Sequence, residues 1–529
     1  MRLTTARIFL LLLVLLNIGN SQESQPDAAK RWSFYFEELK IQSLQQRLSK
    51  QYQPSSVAFT NVNLITMRDD QVIPSQTVLV QNGKILKIGD AKKISAPAGF
   101  RQIDCSGMYM MPGLTDMHVH NLVSSSQHLL NVANGITTVR DMDGFPWMLK
   151  VREQIKNNKL LAPNMYITGQ ILNQHPMDWY AKVVKSPEEG RRIVRQQKQD
   201  GYDFIKVHNN LALEIYSAIL DEAHKQNIDV VGHIPHEITI HQAAELGQKT
   251  FEHFKGYILD ARLVLTNENY VQETKGLKSW NCPTFYTYRD SLRGDAAVKL
   301  INESVEMKYA SWRDKQDWLE VAKEIPDENL KLQQNILPLS IKIFKDLLPI
   351  YDRWLAGTDS GGGYPFMVPG FSLHDELRIM NENGLSPYQT LKAATVNAAL
   401  AMDHEKEFGT IEVGKRADLL ILKANPLEKI SNLENIDSVM VRGIHLSRKD
   451  LDQILQQIEK IYNPALEQQV IAAPSKEQIE SFLKDFNSLK AEGFIFRDHD
   501  ILELQELLKE HNLSLTRMLI NKENPDELI

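Results

Sequence analysis

The sequence predicts an α/β fold in which a central parallel sheet lies between two shorter β-rich segments of the chain. From about Met110 to about Met402, apolar strand-like runs alternate with amphipathic stretches of helical length, a pattern that is typical of βαβ units. Residues 55–102 and 409–443 instead contain short alternating strands that are broken by turns. The middle of the chain is therefore predicted to be α/β and its flanks to be β.

The composition is that of an ordinary globular protein and excludes several classes. The 529 residues are 43% hydrophobic and 24% charged, which rules out a collagen-like, low-complexity or wholly disordered chain. The net charge is −7 and no basic stripe is present, so nucleic acid is not an expected partner. Cys105 and Cys282 lie far apart in the sequence and exclude a disulfide scaffold or a cysteine metal knuckle, while one disulfide stays open.

The first residues predict a secretory signal peptide. Arg2 and Arg7 precede an unbroken apolar run from Ile8 to Leu16, and small residues near Ser21 offer a cleavage point. The run is shorter than the ~20 apolar residues that a bilayer span needs. We therefore expect residues 1–21 to be removed and the mature protein to be secreted or periplasmic, without stable membrane insertion. An uncleaved anchor is the alternative.

The two β-rich flanks are predicted to pair into one small domain. Asn82 and Gly83 lie between two alternating runs, which is the strongest short signal for a β-hairpin. Because chain ends often lie close together, residues 55–110 and 403–447 are expected to form a composite domain. Residues 111–402 then form the middle domain, with inserted helices between 290 and 350, and residues 448–529 form a C-terminal helical extension.

The segment from Pro112 to His120, PGLTDMHVH, is the first candidate for chemistry. Residues two apart in a strand share a face, so His118 and His120 are expected to project together from one strand end. Two imidazoles in that position can bind one metal ion. Two exposed or packed histidines are the alternative, because the pair alone is a weak signal.

Lys206 lies in the run FIKVH, where alternation puts Phe204, Lys206 and His208 on one face. A central strand of a parallel sheet has no solvated face for a lysine. An ion pair with an unidentified carboxylate, or an incorrect strand assignment, would explain the lysine without giving it a function. The functional interpretation is that burial lowers the pKa of the lysine, so that its neutral amine takes up carbon dioxide and forms a carbamate that bridges two cations.

Three further residues end later strand-like runs and complete the candidate set. His233 follows Val230 to Gly232, His253 follows Thr250 to Glu252, and Asp359 precedes a run of glycines. Imidazole and carboxylate ligands suit zinc, iron, manganese or nickel. Each histidine alone could equally be a hydrogen-bonded structural residue.

Together these segments resemble the amidohydrolase superfamily, in its imidazolonepropionase-like branch, which includes Xaa-Pro dipeptidases. The similarity extends from about Val57 to Gly443 and rests on the motifs PGLTDMHVH, FIKV, VGHIP, FEH, GTDSG and GTIEVGKRADL. It implies a (β/α)8 TIM barrel for the middle of the chain and a small β-sandwich for the flanks. It also implies two divalent metal ions, with zinc favoured, a bridging carboxylated lysine at Lys206, and metal ligands at His118, His120, Lys206, His233, His253 and Asp359.

The resemblance implies hydrolysis of an amide C–N bond by a metal-activated hydroxide. The leading substrates are dipeptides and N-acyl amino acids. Asp359 would take a proton from water and return it to the leaving nitrogen, and His253 or His233 would stabilise the oxyanion. A mononuclear deaminase, a cyclic-amide (imidazolone-type) hydrolase and a catalytically silent binding protein are the alternatives, and a homo-oligomer stays open.

Substrate-binding residues are predicted only by position, because barrel enzymes bind with the loops that follow their strands. His208 is favoured because it shares a face with Lys206, and Arg289 could clamp a substrate carboxylate. The full set of candidates is His208, Arg140, His236 and Arg289, with His175, Tyr286 and Tyr288 nearby in the sequence. His374 is better explained by capping or packing, and Ser386 is predicted to cap a helix that carries Leu391 to Ala399.

Overall fold

The computed structural model describes residues 25–120, 124–176, 181–289, 294–324, 327–361, 365–463 and 476–491, together with Leu504, Leu507 and Leu508. The predicted signal peptide and the second and third glycines after Ser360 lie outside the described residues. Among the helices that are described, none is both long and apolar enough to cross a membrane. Described residues fall into two compact units, the first from 1–42, 292–326 and 459–529 and the second from 43–291 and 327–458.

The chain opens with one helix and five strands. These are α1 Gln25–Gln51, β1 Val57–Ile65, β2 Val72–Gln81, β3 Lys84–Asp90, β4 Arg101–Asp104 and β5 Tyr109–Pro112. Asn82 and Gly83 connect β2 to β3 with φ values of 52° and 72°, as the hairpin turn with two left-handed residues requires. The predicted hairpin is confirmed by the antiparallel pairing of these two strands.

The middle of the chain alternates strands and helices. Its strands are β6 Leu114–Val119, β7 Ile136–Asp141, β8 Asn164–Ile167, β9 Leu172–Asn173, β10 Lys182–Val183, β11 Phe204–Val207, β12 Asp229–Gly232, β13 Thr250–Glu252, β14 Ile258–Asp260, β15 Leu265–Thr266 and β16 Trp280–Cys282. Its helices are α2 Ser125–Ala133, α3 Pro146–Lys156, α4 Pro187–Asp200, α5 Leu213–Lys225, α6 Ile240–Glu245, α7 Tyr270–Thr274, α8 Asp295–Glu303, α9 Trp312–Glu324, α10 Asp327–Leu347, α11 Phe371–Glu382, α12 Pro387–Ala393 and α13 Val396–Ala401. Short 3-10 helices span Phe285–Tyr288 and Val305–Tyr309.

The last part of the chain returns to strands and then to helices. It contains β17 Leu419–Leu422, the 3-10 helix Ile430–Glu434, β18 Ile436–Val441, β19 Ile444–Ser447, α14 Arg448–Tyr462 and α15 Lys476–Ala491. These helices belong to the stretch that was predicted to be a helical extension.

The two flanks join in one eight-stranded sheet. Its order is β19-β18-β17-β5-β1-β2-β3, and β4 pairs with β1 beside β5. The two flanks meet where β5 and β17 pair antiparallel, with Met111 opposite Leu420. The buried cluster of this sheet takes side chains from both flanks, including Phe59 and Val80 from the first and Ile421 and Met440 from the second. Neither flank could bury these side chains alone.

In the second unit, parallel pairing passes from each strand to the next and returns to the first strand, so that it forms a closed circuit. β6, β7 and β8 pair in turn, and so do β11, β12, β13 and β16. Single bridges join Thr168 to Phe204 and Asn281 to Trp354, and Ser360 returns to Val119. The predicted α/β class is confirmed, and the circuit is consistent with a TIM barrel, whose active sites lie at the carboxyl ends of the strands.

Two details at the end of the middle part concern helix caps. Ser386 caps α12 in a capping box with Gln389, as predicted, and Pro387 occupies the first turn. The prediction of one helix through Leu391 to Ala399 is wrong, because the chain leaves helical geometry at Thr395, with φ −137° and ψ −89°. The Thr395 hydroxyl donates to the Leu391 carbonyl at 2.7 Å and so satisfies the end of α12.

Both cysteines are buried and free.

The first unit has its own aromatic core. Trp32 of α1 is fully buried, and its ring meets that of Phe482 of α15 edge to face at 5.9 Å. Tyr35, Phe486 and Leu489 lie in the same cluster. The N-terminal and C-terminal helices therefore stabilise each other by burying apolar surface, each large side chain contributing about 1.5–3 kcal/mol.

Candidate metal centre

His118, His120 and Asp359 lie together where strand β6 meets residues 354–360. The Nε2 atoms of the two histidines are 3.2 Å apart, and Asp359 Oδ1 is 3.4 Å from His118 and 3.1 Å from His120. The three ligand atoms lie within 4.8 Å of one another. The end of β6 and the bridge between Val119 and Ser360 therefore bring together three of the predicted ligands.

The remaining histidines continue from this group as a row of rings. The ring centroid of His118 is 4.5 Å from that of His253, His253 is 5.0 Å from His233, and His233 is 4.1 Å from His208. These side chains come from the ends of β6, β13, β12 and β11. The prediction that these strand ends converge agrees with this geometry.

Hydrogen bonds to the outer nitrogens fix the orientation of two of the rings. His118 Nδ1 donates to Glu252 Oε2 at 2.8 Å, and His233 Nδ1 donates to Asn209 Oδ1 at 2.7 Å. In each ring the Nε2 lone pair is thereby left to bind a cation, which is how metal-ligating histidines are usually held. His253 Nδ1 is hydrogen-bonded to the Thr284 hydroxyl at 2.6 Å.

Lys206 is 1% exposed, and in the described parts of the chain its Nζ has no hydrogen-bond partner. Burial lowers the pKa of this amine to about 8. An ammonium that is buried without a partner is costly, whereas a neutral amine is nucleophilic. No described carboxylate oxygen lies at hydrogen-bond distance from Nζ, although the charges of Glu252 and Asp359 act on the amine.

The pKa values of three imidazoles and of Asp359 favour the protonation states that metal ligands need, whereas at His120 burial is outweighed by Asp359 and the pKa is raised. Burial lowers the pKa of His118, His233 and His253 well below the usual value, so these rings are neutral. Burial acts to raise the pKa of Asp359, but His253, His120 and Lys206 outweigh it and the pKa is lowered. The carboxylate therefore stays ionised.

Three residues of the site have a strained backbone conformation. Asp359, His253 and Thr284 have φ values of 61°, 59° and 51°, a region that residues other than glycine rarely adopt. Such strain persists where surrounding structure over-determines it, most often at functional sites. Gly357 allows its segment to pack closely against His118 and Cys282, because a Cβ at this position would lie 2.5 Å from Cys282 Sγ and 2.8 Å from His118 Cβ.

Arg140 does not line the cleft as the substrate-binding prediction requires. Its side chain is fully buried and donates to the Met117 carbonyl at 2.7 Å, to Thr250 Oγ1 at 3.2 Å and to Glu252 Oε1 at 2.8 Å. The guanidinium therefore supports Glu252, which in turn orients His118. This placement corrects the prediction, because the buried arginine is occupied by protein acceptors.

The other predicted binding residues are dispersed. Arg289 donates to Asp375 at 2.6 Å and lies over the Tyr286 ring at 4.4 Å, so its charge is already paired. His208 is half-buried beside His233, whereas His236 and His175 are exposed. Tyr286 and Tyr288 are buried.

His374 caps the end of a helix, as the alternative interpretation proposed. Its Nε2 hydrogen-bonds to the Asn134 carbonyl at 2.8 Å, just beyond α2. It takes no part in the cluster.

Four residues of this site were missed by the sequence interpretation. Glu252, Asn209 and Thr284 hold the imidazoles, and Lys255 follows β13 two residues after His253. Glu252 stands next to a predicted ligand in FEH, and its adjacency was the available signal. The partners of Asn209 and Thr284 are distant in sequence, so no local pattern indicated them.

The donor set fits divalent cations. It offers neutral imidazoles, an ionised carboxylate and a buried amine without a partner, and nitrogen and carboxylate donors suit zinc and its neighbours. A carbamate on Lys206 would convert the amine into a group with two acceptor oxygens and a negative charge. The six predicted ligands are therefore chemically compatible with a metal centre.

Known proteins provide three comparisons. The chain is 24% identical over 459 residues to a 5-methylthioadenosine/S-adenosylhomocysteine deaminase from Caldanaerobacter subterraneus subsp. tengcongensis, covering 76% of this chain and 96% of the relative. A solved Xaa-Pro dipeptidase with bound methionine in its active site matches 74% of this chain and 100% of its own, with TM-score 0.59 and 21% identity. A bottromycin amidohydrolase matches 79% and 93%, with TM-score 0.65 and 22% identity.

The model of the amidohydrolase family matches residues 109–445, which is more than half of the chain. This stretch contains every predicted ligand and both sides of the parallel circuit. The resemblance inferred from the motifs is confirmed, and the chain belongs to the amidohydrolase family.

Proposed function

We propose that this protein hydrolyses an amide C–N bond in a dipeptide or N-acyl amino acid and that it uses two divalent cations, with zinc favoured. The observation that carries the proposal is Lys206, whose amine lies buried without a partner beside the histidine cluster. A lysine that only packed would leave an uncompensated polar group in the interior, at a cost of several kcal/mol. A carbamate on Lys206 would remove that cost and add a bridging ligand.

The residues that would hold the cations are those at the strand ends. A bound divalent cation would supply Lewis acidity, which polarises a carbonyl and lowers the pKa of water. Asp359 is placed to accept the proton of the attacking water, because its carboxylate is ionised and faces both His120 and His253. The same carboxyl group would return the proton to the leaving nitrogen.

Glu252 and Asn209 supply orientation in this proposal. Since His118 and His233 each donate a proton outward, neither ring can turn without losing a buried hydrogen bond. Such positioning keeps the ligand atoms in place through the reaction and costs no reorganisation when charge develops.

A mononuclear deaminase is the second candidate. The curated relative that acts on methylthioadenosine and S-adenosylhomocysteine, 24% identical over most of its length, favours it. In that case Lys206 would be a structural residue and one cation would suffice.

Metal content separates the two candidates. We expect wild-type protein to hold about two divalent ions per chain and Lys206→Ala to hold about one or fewer, because the bridging ligand would be gone. The measurement is plasma mass spectrometry on purified protein. Lys249→Ala is the matched control, since Lys249 lies just before β13 and pairs with Asp229 and Asp403 away from the cluster.

One ion per chain that is unchanged in the Lys206→Ala variant would refute the binuclear proposal. Release of ammonia from a nucleoside, without turnover of dipeptides or N-acyl amino acids, would then support the deaminase.

A further inference from the structure

The site contains a positive charge that the proposed chemistry does not use. Arg140 is occupied by Glu252, and Arg289 is occupied by Asp375. Lys206 is buried in the interior, and this burial lowers the pKa of its amine to about 8. Lys255 is different, because its side chain is half-buried and makes no hydrogen bond or ion pair with any residue that the structure describes.

The turn that carries Lys255 is fixed against the neighbouring strand end. Its backbone N–H donates to the Glu252 carbonyl at 3.1 Å, and Gly256 follows with φ 87°. A Cβ on Gly256 would lie 2.9 Å from Ile234 Cδ1, so this turn packs closely on the segment after β12. That segment is tied to the next strand end in turn, because the His236 N–H donates to the Asn209 carbonyl at 2.9 Å.

The turn that carries Lys255 therefore lies among the loops that follow β11, β12 and β13. Burial is the main cause that lowers the pKa of His208, His233 and His236, and the charge of Lys255 adds to the shift at each of them. His208 Nδ1 is buried and has no hydrogen-bond partner among the described residues. Among the described residues, no acidic group lies at hydrogen-bond distance from the Lys255 ammonium or this ring nitrogen, and an anionic ligand would match them.

We propose that Lys255 binds the carboxylate of the substrate and makes the enzyme selective for dipeptides and N-acyl amino acids that carry a free acid over their neutral amides. This inference rests on the proposed function. In such substrates the carboxylate carbon and the scissile nitrogen are bonded to the same α carbon. An anchor beside the cluster therefore brings the C–N bond toward Asp359. Burial lowers the pKa of Lys255, and the charge of Asp359 opposes that shift.

The test uses two ligands that differ in one group. A ketomethylene analogue of Ala-Leu has no scissile C–N bond and is prepared as the free carboxylate and as the carboxamide. Calorimetry on the metal-loaded full chain should show tighter binding of the carboxylate. In Lys255→Gln the dissociation constant of the carboxylate should rise about tenfold to a hundredfold, the range for a hydrogen bond to a charged group, while that of the carboxamide should stay unchanged.

Two control variants distinguish a specific effect of Lys255 from a general loss of structure. Lys255→Arg keeps the charge and should restore most of the preference for the carboxylate. Lys278→Gln removes an exposed lysine elsewhere in the same unit and should change neither dissociation constant. Kinetics with Ala-Leu should show the effect of Lys255→Gln mainly in KM.

Equal binding of the two ligands by wild-type protein, or an equal loss for both in Lys255→Gln, would overturn the assignment. If carboxylate preference is present and depends on Lys255 but Ala-Leu and N-acetyl-leucine are not cleaved, the proposed hydrolysis fails and the anion-binding role stands.

Discussion

At the scale of single residues, the carboxylate of Glu252 determines which nitrogen of His118 is available. It accepts from His118 on one oxygen and from Arg140 on the other, and all three side chains are fully buried. A buried ion pair of this kind contributes little net stability but is costly to break. Its value to the molecule lies in holding the imidazole in one tautomer and one orientation.

Removal of Arg140 should therefore affect both folding and metal binding. In Arg140→Met, Glu252 would stay buried without its charged partner, and we expect a loss of about 3–5 kcal/mol in the free energy of unfolding. The metal dissociation constant should rise about tenfold to a hundredfold, as for other residues that orient a ligand. Chemical unfolding and metal competition titration measure the two effects.

The comparison for this variant is Arg152→Met. Arg152 donates to Asp203 at 2.6 Å away from the cluster, so its loss should reduce stability and leave metal affinity unchanged. Unaltered metal affinity in Arg140→Met would contradict the positioning role.

A second buried acid gives a pH-dependent prediction. Glu376 of α11 accepts the Tyr286 N–H at 2.7 Å, and burial raises its pKa from 4.5 to about 8. The folded state then binds this proton more tightly than the unfolded state, so the free energy of unfolding falls as pH rises through the window from about 4.5 to about 8. Glu376→Gln cannot ionise, and its melting temperature should fall less across this window. Parallel melting curves for variant and wild type would be inconsistent with this account.

At the scale of elements, local signals predicted what local physics determines. Asn82 and Gly83 form the predicted turn because only a few residues tolerate two left-handed conformations in succession. Alternation placed Lys206 inside β11, and the cap at Ser386 started α12. The break at Thr395 and the long helix α1 were not predicted. In α1 the polar and apolar residues do not segregate to one face, and its burial depends on side chains from α15 at the far end of the chain.

Local sequence signals likewise predicted one part of the site and not the other. The predicted ligands follow strand-like runs, and the same pattern predicted that these strand ends converge. The contacts that hold the ligands could not be predicted, since Arg140 and Glu252 are separated by 112 residues and nothing in either segment indicates the pairing. For the same reason the sequence alone favoured Arg140 and Arg289 as substrate ligands, although both are occupied.

Gly232 is the element-level test, because it sets the spacing between β11 and β12. Its φ is 123°, and a Cβ there would lie 2.3 Å from the Val207 carbonyl oxygen and 2.9 Å from Lys206 Cδ. Gly232→Ala should cost about 1–2 kcal/mol for the backbone conformation and about 1–3 kcal/mol more for the overpacking, with a parallel loss of metal content. Urea unfolding measures the sum of the two costs in stability.

Gly247 separates the two contributions. It has φ 94° and no atom within 4 Å of the added Cβ, so Gly247→Ala should show the conformational cost alone. Equal destabilisation by the two substitutions would argue against close packing at Gly232.

At the scale of the whole molecule, we propose that the predicted signal peptide is removed during export, which gives a processed chain. Expression of the full sequence in a host with a functional secretion pathway should yield exported protein that begins at Gln22, because the small residues before it fit signal peptidase cleavage. Intact-mass analysis decides the matter. Exported protein that still carries residues 1–21 would contradict cleavage and favour the anchor.

The pairing of β5 with β17 has a consequence for the order in which the molecule is made. Met111 and Leu420 are neighbours in the sheet, yet the intervening chain of about 300 residues takes about 15–60 s to synthesise at common translation rates. Throughout that interval the backbone groups of β5 that will bond β17 have no partner, and an open edge of this kind pairs readily with another nascent chain. The last strands to leave the ribosome are thus the ones that close the first sheet to be started.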